Sequence, residues 1–269
     1  MKQTLLATLI AAFSVSAFAN TFQHQSDASF GWLDTSGGDL QQWTLSHRFY
    51  LAPVSTANKA PYAEAGFVSR SSSVNAGYNY LTIDTGSTEN SISGWNLGGE
   101  YKDASHNFYA SAQLVELNGI DDRFVLLSGG YFVQSDWLVK LDARHYRPDG
   151  AGSETEYGVS TKKLLALENG NFINIEAHYM DVKGDDESEF GVAADYYFGR
   201  NIALGLAYDW TSDDVVNAEE DSVTVRGSWY LQPTLALSAA VVFDYLDTSE
   251  ELYQLGVTYR FWLVSCMLC

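Results

Sequence analysis

The sequence predicts an all-β fold: a closed antiparallel transmembrane β-barrel, with 14 strands favoured and 16 as the alternative. Segments of roughly ten residues alternate between apolar and polar side chains with period two, and polar turns separate them. The apolar rows tend to end in Tyr, Trp or Phe, as interfacial aromatic girdles do. Because an open sheet would leave unpaired edges in lipid, such strands are expected to close on one another.

Composition agrees with this fold class. The chain has 269 residues and a formal net charge of -19, with 17 Tyr, 14 Phe and 7 Trp. A soluble acidic enzyme would usually show apolar residues at helical spacing, and none is found beyond the N-terminal segment. The basic footprint of a nucleic-acid-binding protein is also missing, which argues against nucleic acid as a partner.

The N-terminus resembles a secretory signal peptide. Lys2 supplies a short basic start, residues 5–13 are apolar, and Ala17-Phe18-Ala19 fits a small-x-small cleavage site. The alternative is a membrane anchor, but the apolar run is short for a bilayer span of about 20 residues. The sequence therefore predicts a signal peptide over 1–19 and a barrel over 20–261.

The amphipathic segments follow one another along the barrel region. Each places apolar side chains on alternate residues and begins or ends at Gly, Asn, Asp, Ser or Pro. The predicted segments are 28–34, 40–51, 62–84, 93–101, 107–117, 123–133, 137–144, 157–167, 173–179, 190–198, 202–210, 223–231, 235–245 and 253–261.

The segment 62–84 decides the strand count. Its apolar face shifts from odd to even numbers within Arg70-Ser71-Ser72-Ser73-Val74. One interpretation is a single long strand with a β-bulge, which gives 14 strands; the other is a tight turn between two strands, which gives 15. An even number is the rule for single-chain bacterial barrels, so 14 is favoured, and 16 requires one missed strand.

The last amphipathic segment, Gln254-Leu255-Gly256-Val257-Thr258-Tyr259-Arg260-Phe261, resembles the C-terminal signal strand of Gram-negative outer-membrane barrels. The resemblance implies localisation in the cell outer membrane after signal-peptide removal, and recognition by the barrel assembly machinery through Gln254–Phe261. Residues 262–269 follow as an atypical apolar tail that carries the only cysteines, Cys266 and Cys269. We expect the tail to pair with no strand.

The terminal strand also assigns sides to the turns. With Phe261 at the periplasmic end, the short turns at Gln232-Pro233, 199–201 and 134–136 fall in the periplasm. The acidic segments 183–189 and 211–221 are then predicted as external loops. With 14 strands both termini are periplasmic.

The polar face of each strand is expected to line the lumen, and it carries both signs of charge. Small residues between the charges leave space for a water channel at this strand number, although paired charges could instead fill the lumen. The candidate pore-lining residues are Arg48, Glu100, Lys102, Lys140, Asp142, Arg144, Glu176, Asp195, Asp209, Arg226, Asp244 and Arg260.

The segments Tyr50-Leu51-Ala52-Pro53-Val54, Pro61 to Arg70 and Ser73-Val74 resemble the general porins of gammaproteobacteria. The resemblance implies a porin that passes small polar solutes or ions, and it supplies no site residues. No long inward constriction loop is expected, and monomer and trimer both stay open.

The acidic residues of the predicted external loops suggest a preference of the pore for cations or a binding site for divalent cations. The acidic external segments could draw cations toward the pore, or bind divalent cations that bridge lipopolysaccharide in the outer-membrane lipid. The alternative is a set of solvated loops, which is the usual role of such charge runs. Cation preference is therefore one of two expectations.

Alternative functions are a barrel enzyme and a structural or receptor barrel. The histidines are His24, His47, His106, His145 and His178; His178 is expected in the lumen, and His47 and His145 on the outward face. They suggest no catalytic pair, and no Gly-x-Ser-x-Gly element occurs. No catalytic residue, cofactor or metal is assigned, and short loops argue against a large receptor surface.

Overall fold

The computed structural model describes residues 20–35, 38–118, 122–147, 152–182, 187–213, 218–244 and 251–262. These residues form a closed barrel of 14 antiparallel strands. The strands are β1 (Thr21–Thr35), β2 (Gly38–Ser55), β3 (Ser73–Asp84), β4 (Glu89–Lys102), β5 (Phe108–Asn118), β6 (Asp122–Gln134), β7 (Trp137–Arg147), β8 (Glu154–Ala166), β9 (Phe172–Val182), β10 (Glu187–Phe198), β11 (Ile202–Asp213), β12 (Ala218–Gln232), β13 (Leu235–Asp244) and β14 (Glu251–Phe261).

Each strand pairs with its neighbours in sequence, and β14 pairs with β1 to close the barrel. The closing register places Gln25 opposite Arg260 and Phe30 opposite Leu255. The predicted fold class and the count of 14 are confirmed, and the alternative of 16 is not met. The predicted signal peptide lies outside the described residues, as does the tail beyond Trp262.

The period-two pattern sorts side chains between two faces. The outward apolar rows are open to the surroundings: the exposed fraction is 72% for Leu141, 59% for Leu206 and 54% for Trp43. Exposed apolar side chains all around a barrel are what a lipid-facing surface requires. The facing of β6, which its sequence leaves ambiguous, is set by Leu127 and Tyr131, both on the outward face.

Both termini of the barrel lie at one end, which we call the terminal end. The connections 135–136, 199–201 and 233–234 lie there, and the strand ends that flank the acidic segments lie at the opposite, loop end, as predicted. The bounds of those acidic segments are corrected. β11 continues to Asp213 and β12 begins at Ala218, because cross-strand pairing persists through polar residues such as Ser212 opposite Glu219.

The segment 62–84 is the main correction, because neither a bulged strand nor two strands is found. Residues 62–64 form a 3₁₀ turn and residues 65–68 one helical turn, and β3 begins only at Ser73. Pro61 fixes the entry to the turn. Arg70 then adopts a left-handed conformation with φ 48°, which redirects the chain toward β3.

Local hydrogen bonding explains the helical turn. The amide of Ser69 donates to the carbonyl of Ala65 at 3.0 Å, and the amide of Arg70 donates to Phe67 at 3.1 Å. The alternation of Ala63, Ala65 and Phe67 therefore does not mark a strand. No helix in the described part of the chain is long and apolar enough to span a membrane.

Candidate functional site

Residues 56–72, which connect β2 to β3 at the terminal end, fold into the barrel; we call them the inserted segment. The expectation that no long constriction loop points inward is therefore wrong. Every buried apolar cluster in the described residues includes or contacts this segment. Ala60 packs with Leu164 and Tyr197, Ala65 packs with Phe22, and Phe67 packs against Phe132.

A buried ion pair fixes the middle of the inserted segment. Glu64 is only 5% exposed, and its carboxylate lies 3.0 Å from the ammonium of Lys162 on β8. The hydroxyl of Tyr197 on β10 donates a second bond to Glu64 at 2.7 Å. Burying a carboxylate is costly unless a charge partner and hydrogen bonds accompany it, so both strands hold the segment in place.

Arginine side chains hold the two flanks of the segment. Arg200, in the turn between β10 and β11, donates to the carbonyl of Ala60 at 3.0 Å and to that of Thr56, and it stacks on Tyr62 at 4.3 Å. Arg260 on β14 donates to the Tyr62 carbonyl at 2.7 Å.

On the opposite wall, Arg70 donates to Asn107 at 2.6 Å and to the carbonyl of Gln134 at 3.2 Å. Its guanidinium lies 4.2 Å above the ring of Phe132. With the contacts to β8, β10 and β14, the inserted segment thus spans the barrel from one wall to the other.

The inner face carries the sequence-predicted pore residues. Eleven of the twelve lie on the inward rows of their strands: Arg48, Glu100, Lys102, Lys140, Asp142, Arg144, Glu176, Asp195, Asp209, Arg226 and Arg260. The twelfth, Asp244, ends β13, and its side chain lies outside the described residues.

The structure joins these residues into separate networks. Around the inserted segment, Lys162 bridges Glu64 and Glu176, the latter at 2.7 Å. Beyond β9, the guanidinium of Arg226 on β12 donates two hydrogen bonds to the carboxylate of Asp195 on β10, at 2.7 and 2.8 Å. Gly205 leaves room for that carboxylate, since a Cβ there would collide with Asp195.

A second network lies nearer the loop end. Arg144 bonds to Glu156 and, at 3.1 Å, to Glu189, whose other oxygen lies 3.1 Å from Nε2 of His178. Asp209 on β11 lies on the other side of Gly191 from His178 on β9. A Cβ at Gly191 would collide with the His178 ring. As predicted, His178 faces the lumen.

A third network joins β2, β4 and β7. Lys102 contacts Glu100 at 2.5 Å, Arg48 lies 3.7 Å from the same carboxylate, and Lys140 lies 3.6 Å from Asp142. A cavity of about 660 Å³ lies between these side chains and the inserted segment, and residues of both line it.

Sequence reasoning missed several residues that shape this site: Glu64, Glu156, Lys162, Tyr197 and Arg200. It also placed Glu189 in an external loop, which is wrong, because Glu189 lies in β10 and bonds to Arg144 and His178 in the lumen. The available signal was Glu64, a carboxylate between Ala63 and Ala65 in a mostly apolar stretch close after Pro61. A buried charge needs a partner, so that position could have suggested an inward segment. The distant partners at 162 and 197 follow only from the closed barrel.

The outward face carries a different polar group. The hydroxyl of Ser26 lies 2.9 Å from Nδ1 of His47, and Nε2 of His47 lies 3.2 Å from Nδ1 of His24. The His24 ring stacks on Phe261 with centroids 5.0 Å apart. As predicted, His47 lies on the outward face.

Comparisons with known proteins agree with this architecture. The model of a family described as "putative general bacterial porin" matches residues 1–150 and 149–261. Among solved structures, the outer membrane protein Omp33 of Acinetobacter baumannii superposes with a TM-score of 0.72 at 19% identity, covering 91% of this chain and 100% of that one.

A bacterial polysaccharide outer membrane secretin superposes with a TM-score of 0.56 at 8% identity, covering 91% of this chain and 100% of that one. Curated protein sequences give no match. At these identities the two solved structures support the fold alone. The family model covers all 14 strands of the barrel and supports membership of the family. The chain therefore belongs to this family of bacterial porins and resides in the outer membrane.

Proposed function

We propose that this porin is a narrow channel for small polar solutes and ions, and that the inserted segment sets its width at the terminal, periplasmic end. The observation that carries the proposal is the inserted segment itself. It is bonded to β8, β10 and β14 across a polar lumen and leaves a cavity of about 660 Å³ on its inner side. Passive diffusion then selects solutes by size at this constriction.

We further propose a preference for cations. In the half of the lumen nearer the loop end, four acidic side chains face inward in the described residues, namely Glu154, Glu156, Glu189 and Asp209. Arg144 is the one Arg or Lys side chain there that opposes them. Such an imbalance raises the local cation concentration before the constriction is reached.

Reconstituted protein tests both statements. Liposomes containing it should swell in isosmotic solutions of small sugars and stop swelling as sugar size increases. In planar bilayers under a KCl gradient, the reversal potential should carry the sign of potassium selectivity. If liposomes with folded protein do not swell, the proposed channel is contradicted. Chloride selectivity would contradict the proposed cation preference.

A second candidate is a closed, non-channel barrel with a structural or receptor role. The specific observation in its favour is again the inserted segment, because its contacts with opposite walls could seal the lumen permanently. Conductance measurements separate the two, since a permanently sealed barrel conducts no ions under any gradient.

We propose a channel rather than an enzyme. The Ser26, His47 and His24 group resembles a nucleophile with its base in spacing, but acyl transfer also needs donors for an oxyanion. The backbone on either side of Ser26 is paired with β2 and β14, and its amides are therefore engaged in the sheet. Hydrolysis of a phospholipid ester by purified protein would contradict this.

Gln254–Phe261 is proposed as the strand that the barrel assembly machinery recognises. It forms most of β14, which pairs with β13 on one edge and closes the barrel against β1 on the other. A Phe261→Ala variant should reach the outer membrane in a smaller amount. Contacts of the acidic loop end with lipopolysaccharide stay a prediction. Monomer and trimer both stay open.

A further inference from the structure

Three basic side chains from three strands line one part of the lumen, beside the carboxylates of Glu100 and Asp142. Lys102 contacts Glu100 at 2.5 Å, and Arg48 lies 3.7 Å from its other oxygen. Lys140 on β7 also acts electrostatically on Glu100, although its nearest carboxylate is that of Asp142, at 3.6 Å. We call Arg48, Lys102, Glu100 and Lys140 the basic cluster.

The donors of this cluster are not used up by protein acceptors. Asp142 already accepts a hydrogen bond from Ser128 at 2.5 Å and another from Ser160. Lys140 and Arg48 both stand beyond hydrogen-bond range of a carboxylate. The guanidinium of Arg48 bonds to Tyr50, which engages one part of a fork that carries five N–H groups.

The bases of the neighbouring network are more fully engaged. Lys162 is shared between Glu64 and Glu176, and Arg226 is engaged at both ends of its fork by Asp195. Those bases are saturated by carboxylates. In the basic cluster three cations share Glu100 and an Asp142 that two hydroxyl groups already satisfy, and Asp27 acts on Arg48 only from beyond ion-pair distance, so the donors of these bases are less fully engaged by carboxylates.

The free donors face open space. The side chains of Arg48 and Lys140 are 36% and 26% exposed, and both line the cavity of about 660 Å³ together with Lys102 and Glu100. Gly130 on β6 contributes to this opening: a Cβ there would lie 3.0 Å from Cγ of Lys140. The inserted segment lines the cavity on its terminal side and narrows the lumen there, so a solute that enters is held up beside the cluster.

We propose that the basic cluster is a binding subsite for small carboxylate anions in the lumen; this rests on the proposed channel function. A guanidinium fork and an ammonium converging on one space provide the donors that a carboxylate accepts, and charge-assisted bonds of this kind are the strong ones. The acidic half nearer the loop end would at the same time attract an ammonium group, so a solute with both groups is oriented in passing.

Current block measures the binding. Wild-type protein in planar bilayers is titrated with succinate in KCl, with succinamide as a neutral probe of similar size. Succinate should reduce or interrupt the current at millimolar concentration, and succinamide should not. In the Arg48→Gln/Lys140→Met double variant, the succinate concentration for half block should rise at least tenfold.

The control is Lys163→Met, since Lys163 faces outward over Trp137 at 4.5 Å and should leave the block unchanged. Glu100→Gln provides a test of opposite sign: removing the competing carboxylate should lower the half-block concentration severalfold. Equal block in the wild type and both cluster variants would overturn the subsite while leaving the channel intact. A wild type that conducts no KCl would overturn the channel and the subsite together.

Discussion

At the residue scale, the lumen is organised by charges whose partners come from other strands or from the inserted segment. Lys162 is the clearest case, because its ammonium is shared by Glu64 on the segment and Glu176 on β9. The neighbouring residue, Lys163, lies on the outward face with its ammonium 4.5 Å above Trp137. Adjacent lysines therefore have unrelated roles.

Replacing Lys162 with Met tests this assignment. The change keeps most of the chain length and leaves the Glu64 carboxylate buried without its cation, which is unfavourable. The inserted segment should loosen, and the single-channel conductance in KCl should rise severalfold. Lys163→Met serves as the matched control and should conduct like the wild type. Unchanged conductance in a folded Lys162→Met barrel would contradict the role of the ion pair.

Gly66 tests how closely the segment approaches the wall. A Cβ at this position would lie 2.7 Å from the hydroxyl oxygen of Tyr50, which is itself 3% exposed. Gly66→Ala should therefore lower the free energy of unfolding by about 1–3 kcal/mol, the usual cost of overpacking. Urea titration of the folded barrel measures it. Gly129→Ala, where a Cβ meets nothing within 4 Å, should stay close to the wild type.

At the element scale, the strands were predictable because one face meets lipid and the other meets water. That contrast gives an alternation that survives even where single residues are ambiguous, as in β6. The inserted segment was not predictable in the same way. Ala63, Ala65 and Phe67 alternate as a strand would, yet Ala65 and Phe67 pack against different parts of the inner wall while Ala63 stays exposed, and a helical turn satisfies the backbone.

The turn between β10 and β11 holds the start of that segment through Arg200. Arg200→Gln should weaken the bonds to the carbonyls of Ala60 and Thr56 and remove the stacking on Tyr62. We expect a more frequently interrupted, noisier current with a higher mean conductance, recorded in planar bilayers. Arg123→Gln, which breaks an exposed pair with Glu116, is the control. Identical traces for the two variants would count against the anchoring role.

At the scale of the whole molecule, the chain has a formal charge of -19, and the inward charges of the described residues are distributed unevenly along the pore axis. Bases and acids balance through direct pairs around the inserted segment, whereas acids prevail toward the loop end. The sequence could predict inward facing for these residues from strand parity. It could not predict which of them pair, because the partners of Lys162 and Arg226 depend on barrel closure and on the inserted segment.

Neutralising the acidic half tests the proposed selectivity. The Glu156→Gln/Glu189→Gln/Asp209→Asn variant removes three of the four inward acids and keeps Arg144. The reversal potential in a KCl gradient should shift toward zero or reverse its sign. Asp103→Asn, in a turn at the terminal end, is the control, and a wild-type potential is expected for it. A triple variant as cation-selective as the wild type would show that preference arises elsewhere.

Residues 56–72 are proposed to narrow a conducting barrel. The most direct measurement compares the single-channel conductance of the wild type with that of a variant in which residues 57–71 are replaced by a short Asn-Gly turn, once both are shown to be folded. We expect a severalfold higher conductance for the shortened barrel, together with swelling of liposomes in larger sugars. Equal conductance in the two proteins would contradict it.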